Sequence, residues 1–199
     1  MDKPGILAAS MVGEADVRTA RLGQRFGRLD LASQLALLAV ETMGVNFDAM
    51  PHERTGICLA AAAGSLSTDV AFWNGRDAVG GPSPTLFAYT LPSAAIGEIA
   101  IHYRLRGPNL CFVGESGGAM DAAEELIDQG EAEGCVCVFV NVVSPAAAAL
   151  TGLTPVARAC ALFLQRGAGG QQSGRDMESV CAIVCARKSG SKTIHACGS

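Results

Sequence analysis

The chain has 199 residues, a formal net charge of −4, and an apolar fraction of 49% with only 5% aromatics, so Ala and Gly supply much of its hydrophobicity. Arg and Lys are scattered, which gives no electrostatic footprint for a nucleic-acid backbone. Charged residues or Gly interrupt every apolar run before the roughly 18 residues that a membrane-spanning helix needs, so neither nucleic acid nor membrane is an expected partner. The N-terminal apolar run is short and ends at Glu14, Asp16 and Arg18, so no secretory leader is read there; a cytoplasmic, single-domain protein over residues 1–187 with a flexible tail over 188–199 is expected.

Asp30 is suited to cap a helix carrying Leu31, Leu35, Leu38 and Ala39 at helical spacing, with Gly44 as its stop. Thr55 to Ala60 reads as a buried strand leading into a loop at Gly64-Ser65, and Ser67 to Trp73 as a short helix. Gly80-Gly81-Pro82-Ser83-Pro84 reads as an irregular loop, because two prolines and two glycines continue neither ladder. From Ser93 to Leu105 the residues Ala95, Ile96, Ile99, Ala100 and Tyr103 recur at three and four, which predicts a helix ended by Gly107-Pro108, with Glu98, His102 and Arg106 off the apolar face.

Leu110-Cys111-Phe112-Val113 predicts a strand, followed at once by a Gly-rich turn and a helix over Ala119 to Gln129 that Gly130 stops. Cys135 to Asn141 is a continuous apolar run, which predicts a strand buried on both faces and paired in parallel with the previous one through the intervening helix. Ala157 to Gln165 and Ser179 to Arg187 predict a terminal hairpin around a polar loop over 166–178. Seven of the eight cysteines (Cys58, Cys111, Cys135, Cys137, Cys160, Cys181 and Cys185) lie in apolar runs, where thiols behave as small hydrophobes. Their spacing matches no zinc site, so neither a metal nor another cofactor is expected.

The chemistry-bearing segment is Gly114-Glu115-Ser116-Gly117-Gly118, which matches the G-x-S-x-G pattern of a nucleophile elbow. There a strained turn lifts one side chain above the strand ends, and backbone N–H groups at a helix start, here from Gly117 and Gly118, can stabilise an oxyanion. The difficulty is a base for Ser116: His195 is the only later histidine, His52 and His102 precede it, and His102 is expected on the polar side of its helix. Glu115 reads as a solvated turn residue.

Arg104-Leu105-Arg106-Gly107-Pro108-Asn109 leading into strand, elbow and helix resembles the nucleophile region of the β-ketoacyl synthases. Glu53-Arg54-Thr55-Gly56, Gly64-Ser65-Leu66, Ser83-Pro84-Thr85-Leu86-Phe87, Leu91-Pro92-Ser93-Ala94 and Cys160-Ala161-Leu162-Phe163-Leu164 follow the family's order, over about residues 25–187. The resemblance implies an α/β, thiolase-like fold of which only the N-terminal half is visible: a mixed five-stranded sheet with helices on both faces. It also implies that Ser116 stands where these enzymes carry their nucleophilic cysteine, and that their two catalytic histidines belong to the C-terminal half.

Three readings follow. The first is a catalytically deficient ketosynthase-like accessory subunit, similar to the chain-length factors, supporting fatty-acid or polyketide-type chain assembly by pairing with a full-length ketosynthase or binding an acyl carrier protein. The second is an esterase or acyltransferase using Ser116 with His102 or a partner's base, and the third a structural dimer module. The family dimerises through the strand before the elbow, which makes Leu110, Cys111, Phe112 and Val113 the implied interface of a homodimer or heterodimer. Ala119, Ala122, Ala123, Leu126 and Ile127 are further expected to form an exposed apolar stripe, since nothing else in the sequence is seen to cover them.

Overall fold

The computed structural model describes residues 4–167 and residue 181. The chain opens with strand β1 (Pro4–Gly13), followed by two short helices, α1 (Glu14–Thr19) and α2 (Gly23–Phe26). Helix α3 (Leu31–Thr42) starts where Asp30 was expected to cap it: its carboxylate accepts the Ser33 N–H at 3.0 Å. Then come β2 (Thr55–Ala61), buried along its whole length, and α4 (Leu66–Asn74). Pro84 does not belong to the preceding loop. It opens α5 (Pro84–Ala88), whose Leu86 N–H is capped by the Ser83 hydroxyl, since a proline at the first helical position gives up a donor the helix does not use.

Helix α6 (Ala94–Tyr103) stops earlier than Gly107-Pro108, because Arg104 adopts the left-handed conformation (φ 58°) that ends a helix. Strand β3 (Asn109–Val113), α7 (Gly117–Asp128), β4 (Gly134–Val143), α8 (Pro145–Thr151) and β5 (Val156–Arg166) complete the described chain. Apart from Cys181, the expected strand over 179–187 lies outside the described residues, as do most of the loop before it, the tail and His195.

The strands form one mixed sheet in the order β1-β5-β4-β2-β3. Strand β2 runs parallel to β3 on one side and to β4 on the other, so β3 and β4 are not paired to each other as expected; β2 lies between them. The hairpin reading for β5 is likewise corrected, because its two ladders are filled by β4 and β1, both antiparallel.

Alternation along the strands sends Ile57, Leu59, Val136, Val138, Ala161 and Phe163 to one face, under α3 and α6. Cys58, Ala60, Cys135, Cys137, Cys160 and Leu162 go to the other, under α7. The two cysteines of β4 therefore share a face as expected, and Cys181 joins that core, its thiol 3.6 Å from the Ala161 carbonyl oxygen. Cys111 departs from the buried-cysteine reading, since it lies on the edge strand and is exposed.

The apolar stripe of α7 is not exposed. Ala119, Ala123 and Ile127 are fully buried and Leu126 nearly so, all against the chain's own sheet. What α7 turns outward is Gly118, Asp121, Glu125 and Asp128. The expectation failed because it counted only a second domain as cover, whereas the parallel strands flanking α7 provide it from within.

Candidate functional site

The parallel strands β2, β3 and β4 share a C-terminal end, and the elbow stands there. Gly114 (φ 123°) breaks the strand in a backbone region that side chains avoid, and its N–H closes the ladder on the Ala61 carbonyl at 3.0 Å. Ser116 then takes the N-cap position of α7 with ordinary helical torsions (φ −70°, ψ −21°) and is 5% exposed. The strained turn expected at the serine is thus carried two residues earlier, and Ser116 sits beneath the surface. Gly117 and Gly118 form the first turn of α7, where helix N–H groups have no intrahelical acceptor. Glu115 is exposed, as a solvated turn residue should be.

Neither described histidine reaches this end of the sheet on this face. His52 precedes β2, at the opposite end of the parallel strands, with Nε2 3.1 Å from the Phe47 carbonyl oxygen. His102 is exposed on α6, across the sheet from α7, with its ring against Tyr103 at a centroid distance of 4.7 Å. The base that a reactive Ser116 requires is therefore supplied by neither His52 nor His102.

Two features of this end escaped sequence reading. The Ser65 hydroxyl, with one proton to donate, lies 2.7 Å from the Thr90 carbonyl oxygen and 2.9 Å from an Asp69 carboxylate oxygen, while Thr68 donates to the second oxygen of Asp30 (2.7 Å), so the cap of α3 is tied to α4. Asp30, Ser65 and Thr68 border a cavity of about 220 Å³. A larger one, about 480 Å³, is lined by Ala62, Ala63, Leu153 and the cross-strand partners Asn141 and Arg158. Gly64 and Ser65 of the Gly64-Ser65-Leu66 motif line the first cavity, a role the motif alone does not reveal, whereas the second depends on a β4–β5 register that no local pattern encodes.

The remaining motif residues serve the sheet rather than the elbow. A Cβ on Gly107 would lie 2.5 Å from the Thr55 carbonyl oxygen, and one on Gly56 would lie 2.9 Å from that of Pro108 and 3.0 Å from the Cys135 sulfur. Only glycine permits this approach where the lead-in to β3 crosses the start of β2. Exposed ion pairs Arg106–Glu53 (2.6 Å) and Arg54–Glu133 (2.8 Å) flank it.

The four candidate interface residues lie together on β3, at the sheet edge. Val113 is 68% and Leu110 39% exposed, Cys111 is exposed, and Phe112 is half-buried against Gly118. Desolvation holds the Cys111 thiol pKa above its usual value. Among the described residues no group of three His, Cys, Asp or Glu side chains could hold a metal ion, and no helix is long and apolar enough to cross a membrane.

Residues 12–155 match the model of the β-ketoacyl synthase N-terminal domain. The chain belongs to the β-ketoacyl synthase family. Solved structures agree on the fold. The ishigamide ketosynthase/chain length factor is matched with a TM-score of 0.68 at 19% identity, over 94% of this chain and 72% of that one. A ketosynthase (ApeO) in complex with its chain length factor (ApeC) from Xenorhabdus doucetiae is matched at 0.64 and 15% identity, over 84% and 80%. A type II polyketide synthase acyl-carrier protein in complex with its ketosynthase bound to the hexaketide is matched at 0.66 and 19% identity, over 84% of this chain and 64% of that one, so here the chain spans less than two thirds of its relative. No curated protein sequence matches. This β-ketoacyl synthase N-terminal domain is thus a thiolase-like sheet with Ser116 buried at the N-cap of α7.

Proposed function

We propose that the chain is a catalytically silent ketosynthase-like subunit that supports acyl-chain assembly, in fatty-acid or polyketide-type biosynthesis, as one member of a ketosynthase pair or by holding an acyl carrier protein. The observation that carries this reading is Ser116: at the start of α7 it is a 5% exposed hydroxyl, with His52 at the opposite end of the parallel strands and His102 across the sheet. A serine hydroxyl is a weak nucleophile without a base, whereas a thiolate is not. Support also comes from the matched structures, which are of ketosynthases with chain length factors and of a ketosynthase with an acyl-carrier protein.

The test combines activity and capture. The purified chain, given an acyl-loaded and a malonyl-loaded carrier protein, forms no β-ketoacyl product, and Ser116→Ala behaves identically. Tagged chain drawn from its native lysate brings down a ketosynthase or an acyl carrier protein, identified by mass spectrometry. Condensation by the chain alone, or recovery of neither partner, would overturn the proposal. Labelling of the native protein by a fluorophosphonate, lost in Ser116→Ala, would replace it with an acyl-transfer role.

A further inference from the structure

On the α7 face of the sheet, Phe139 and Cys160 stand opposite each other across β4 and β5 and belong to the core beneath α7. Two residues further along, the same alternation sets Asn141 opposite Arg158 and Val143 opposite Val156 on that face, and neither pair belongs to that core. Ala62, whose N–H prolongs the parallel ladder to the Val140 carbonyl at 2.9 Å, forms a second wall with Ala63, and the segment leading into β5 forms a third. The cavity of about 480 Å³ between these walls lies outside the carboxyl ends of β2 and β4, where open α/β sheets bind their ligands. Its volume falls within the roughly 300–1,000 Å³ of small-molecule sites. Its polar chemistry is one-sided. Among the described lining residues Arg158 is the only charged one, and Asn141 and Thr154 are the only others whose side chains can hydrogen-bond. Neither the half-buried Asn141 amide nor the exposed Thr154 hydroxyl is bonded to a described residue.

We infer that this crevice binds a free aliphatic carboxylic acid as its carboxylate: the Arg158 guanidinium takes the two oxygens, Asn141 and Thr154 donate to them, and the hydrocarbon lies against Ala63, Leu153 and Val156. A guanidinium fork matches the geometry of a carboxylate, and the charge-assisted bonds it makes are the stronger kind. One cation balances one carboxylate. A phosphate dianion would bring a second charge to walls that offer no other described cation, which is costly, and a purely apolar ligand would cover the Asn141 amide and leave it without a partner. The acid taken here carries no thioester, and the crevice shares no described residue with the elbow, so the inference goes beyond the subunit reading and does not depend on it.

Titration calorimetry on the purified full chain tests this, with hexanoate as the probe and hexanamide, the same hydrocarbon without the charge, beside it. Hexanoate is expected to bind saturably, and hexanamide about tenfold or more weakly, the loss of a charge-assisted pair. Arg158→Gln should lower hexanoate affinity by a similar factor and leave that of hexanamide unchanged. Thr154→Val, in an exposed segment before β5, should weaken hexanoate about twofold to tenfold. Arg106→Gln removes an exposed cation that pairs with Glu53 at the opposite end of the sheet, and should change neither ligand's affinity. Circular dichroism checks that each variant is folded; should Arg158→Gln not fold, Thr154→Val and the comparison of hexanoate with hexanamide decide the question. Hexanoate binding no tighter than hexanamide, tighter binding of hexyl phosphate, unchanged hexanoate affinity in Arg158→Gln or Thr154→Val, or no saturable binding of hexanoate would each overturn the proposal. None of these measurements reads condensation or partner capture, so the two proposals fail independently.

Discussion

Substituting Gly107 by alanine adds a single methyl group at the point where the lead-in to β3 crosses β2. Its Cβ would sit 2.5 Å from the Thr55 oxygen, 2.6 Å from the Thr55 carbonyl carbon and 3.0 Å from the Gly56 nitrogen. All three are backbone atoms of β2, which is held between β4 and β3, so no side chain can swing aside to relieve the overlap. Overpacking of this kind costs about 3 kcal/mol or more, equivalent to a fall of roughly 6–12 °C in Tm for a chain of this size. The same substitution at Gly97, in the middle of α6 with nothing within 4 Å of the added atom, should act in the opposite sense. There alanine replaces the helix's least favourable ordinary residue and is worth about +0.5 to +1 kcal/mol. Urea titrations of the two variants beside the wild type, with m-values compared, give both signs in one experiment. A Gly107→Ala variant within about 0.5 kcal/mol of wild type would show that the two segments do not approach as described.

Other outcomes follow from the same packing. Asp30→Ala removes both the cap of Ser33 and the acceptor of the Thr68 hydroxyl and should cost about 2 kcal/mol, against about 1 for Thr68→Val, which loses only the second bond; denaturant midpoints of the two report the difference. Ile127→Ala, at a fully buried site, should cost about 2–5 kcal/mol, whereas Asp121→Ala on the outward face of α7 should stay within about 0.5. Equal effects would mean that α7 does not lie on the sheet as described. Burial pushes the Cys137 thiol pKa well above its usual value, so the folded state holds a proton that the unfolded chain releases. Its contribution to stability is complete below the ordinary thiol range and declines as pH rises through it, by up to about 1.4 kcal/mol per pH unit. Stability followed from pH 7 to 10 should show this decline, flattened in Cys137→Ala.

Much of the fold was legible because burial imposes periodicity. The Leu31–Ala39 and Ala95–Tyr103 patterns predicted α3 and α6, and the unbroken apolar runs of Thr55–Ala60 and Cys135–Asn141 predicted strands covered on both faces. Residues 4–13 gave no such signal. Strand β1 is largely buried, with Leu7 and Met11 exposed, and a bulge between Ile6 and Ala8 breaks the alternation that would have marked it. Helix α8 was overlooked although Ser144-Pro145 is a cap followed by an N1 proline, with the Ser144 hydroxyl accepting the Ala147 N–H at 3.2 Å. The elbow was visible as a pattern of glycines around Ser116. Its depth was not, because burial of Ser116 depends on which side of the sheet α7 lies. The absence of His102 from the elbow has the same origin: helical periodicity places a residue on a face of its helix, but only the crossover places that helix above or below the strands.

The pairing of β1 with β5 joins Pro4 to Arg166 and Gly13 to Arg158, so among the described residues the first strand of the sheet has its only partner in the last. Until β5 emerges, β1 has no ladder to enter and β4 has an open edge, so neither can be completed by local contacts. Closing that ladder brings together segments separated by most of the chain, the kind of contact that makes folding slow. Nascent or truncated chains that stop before residue 156 are therefore expected to expose the unpaired edge of β4, an apolar ladder open to aggregation or chaperone capture.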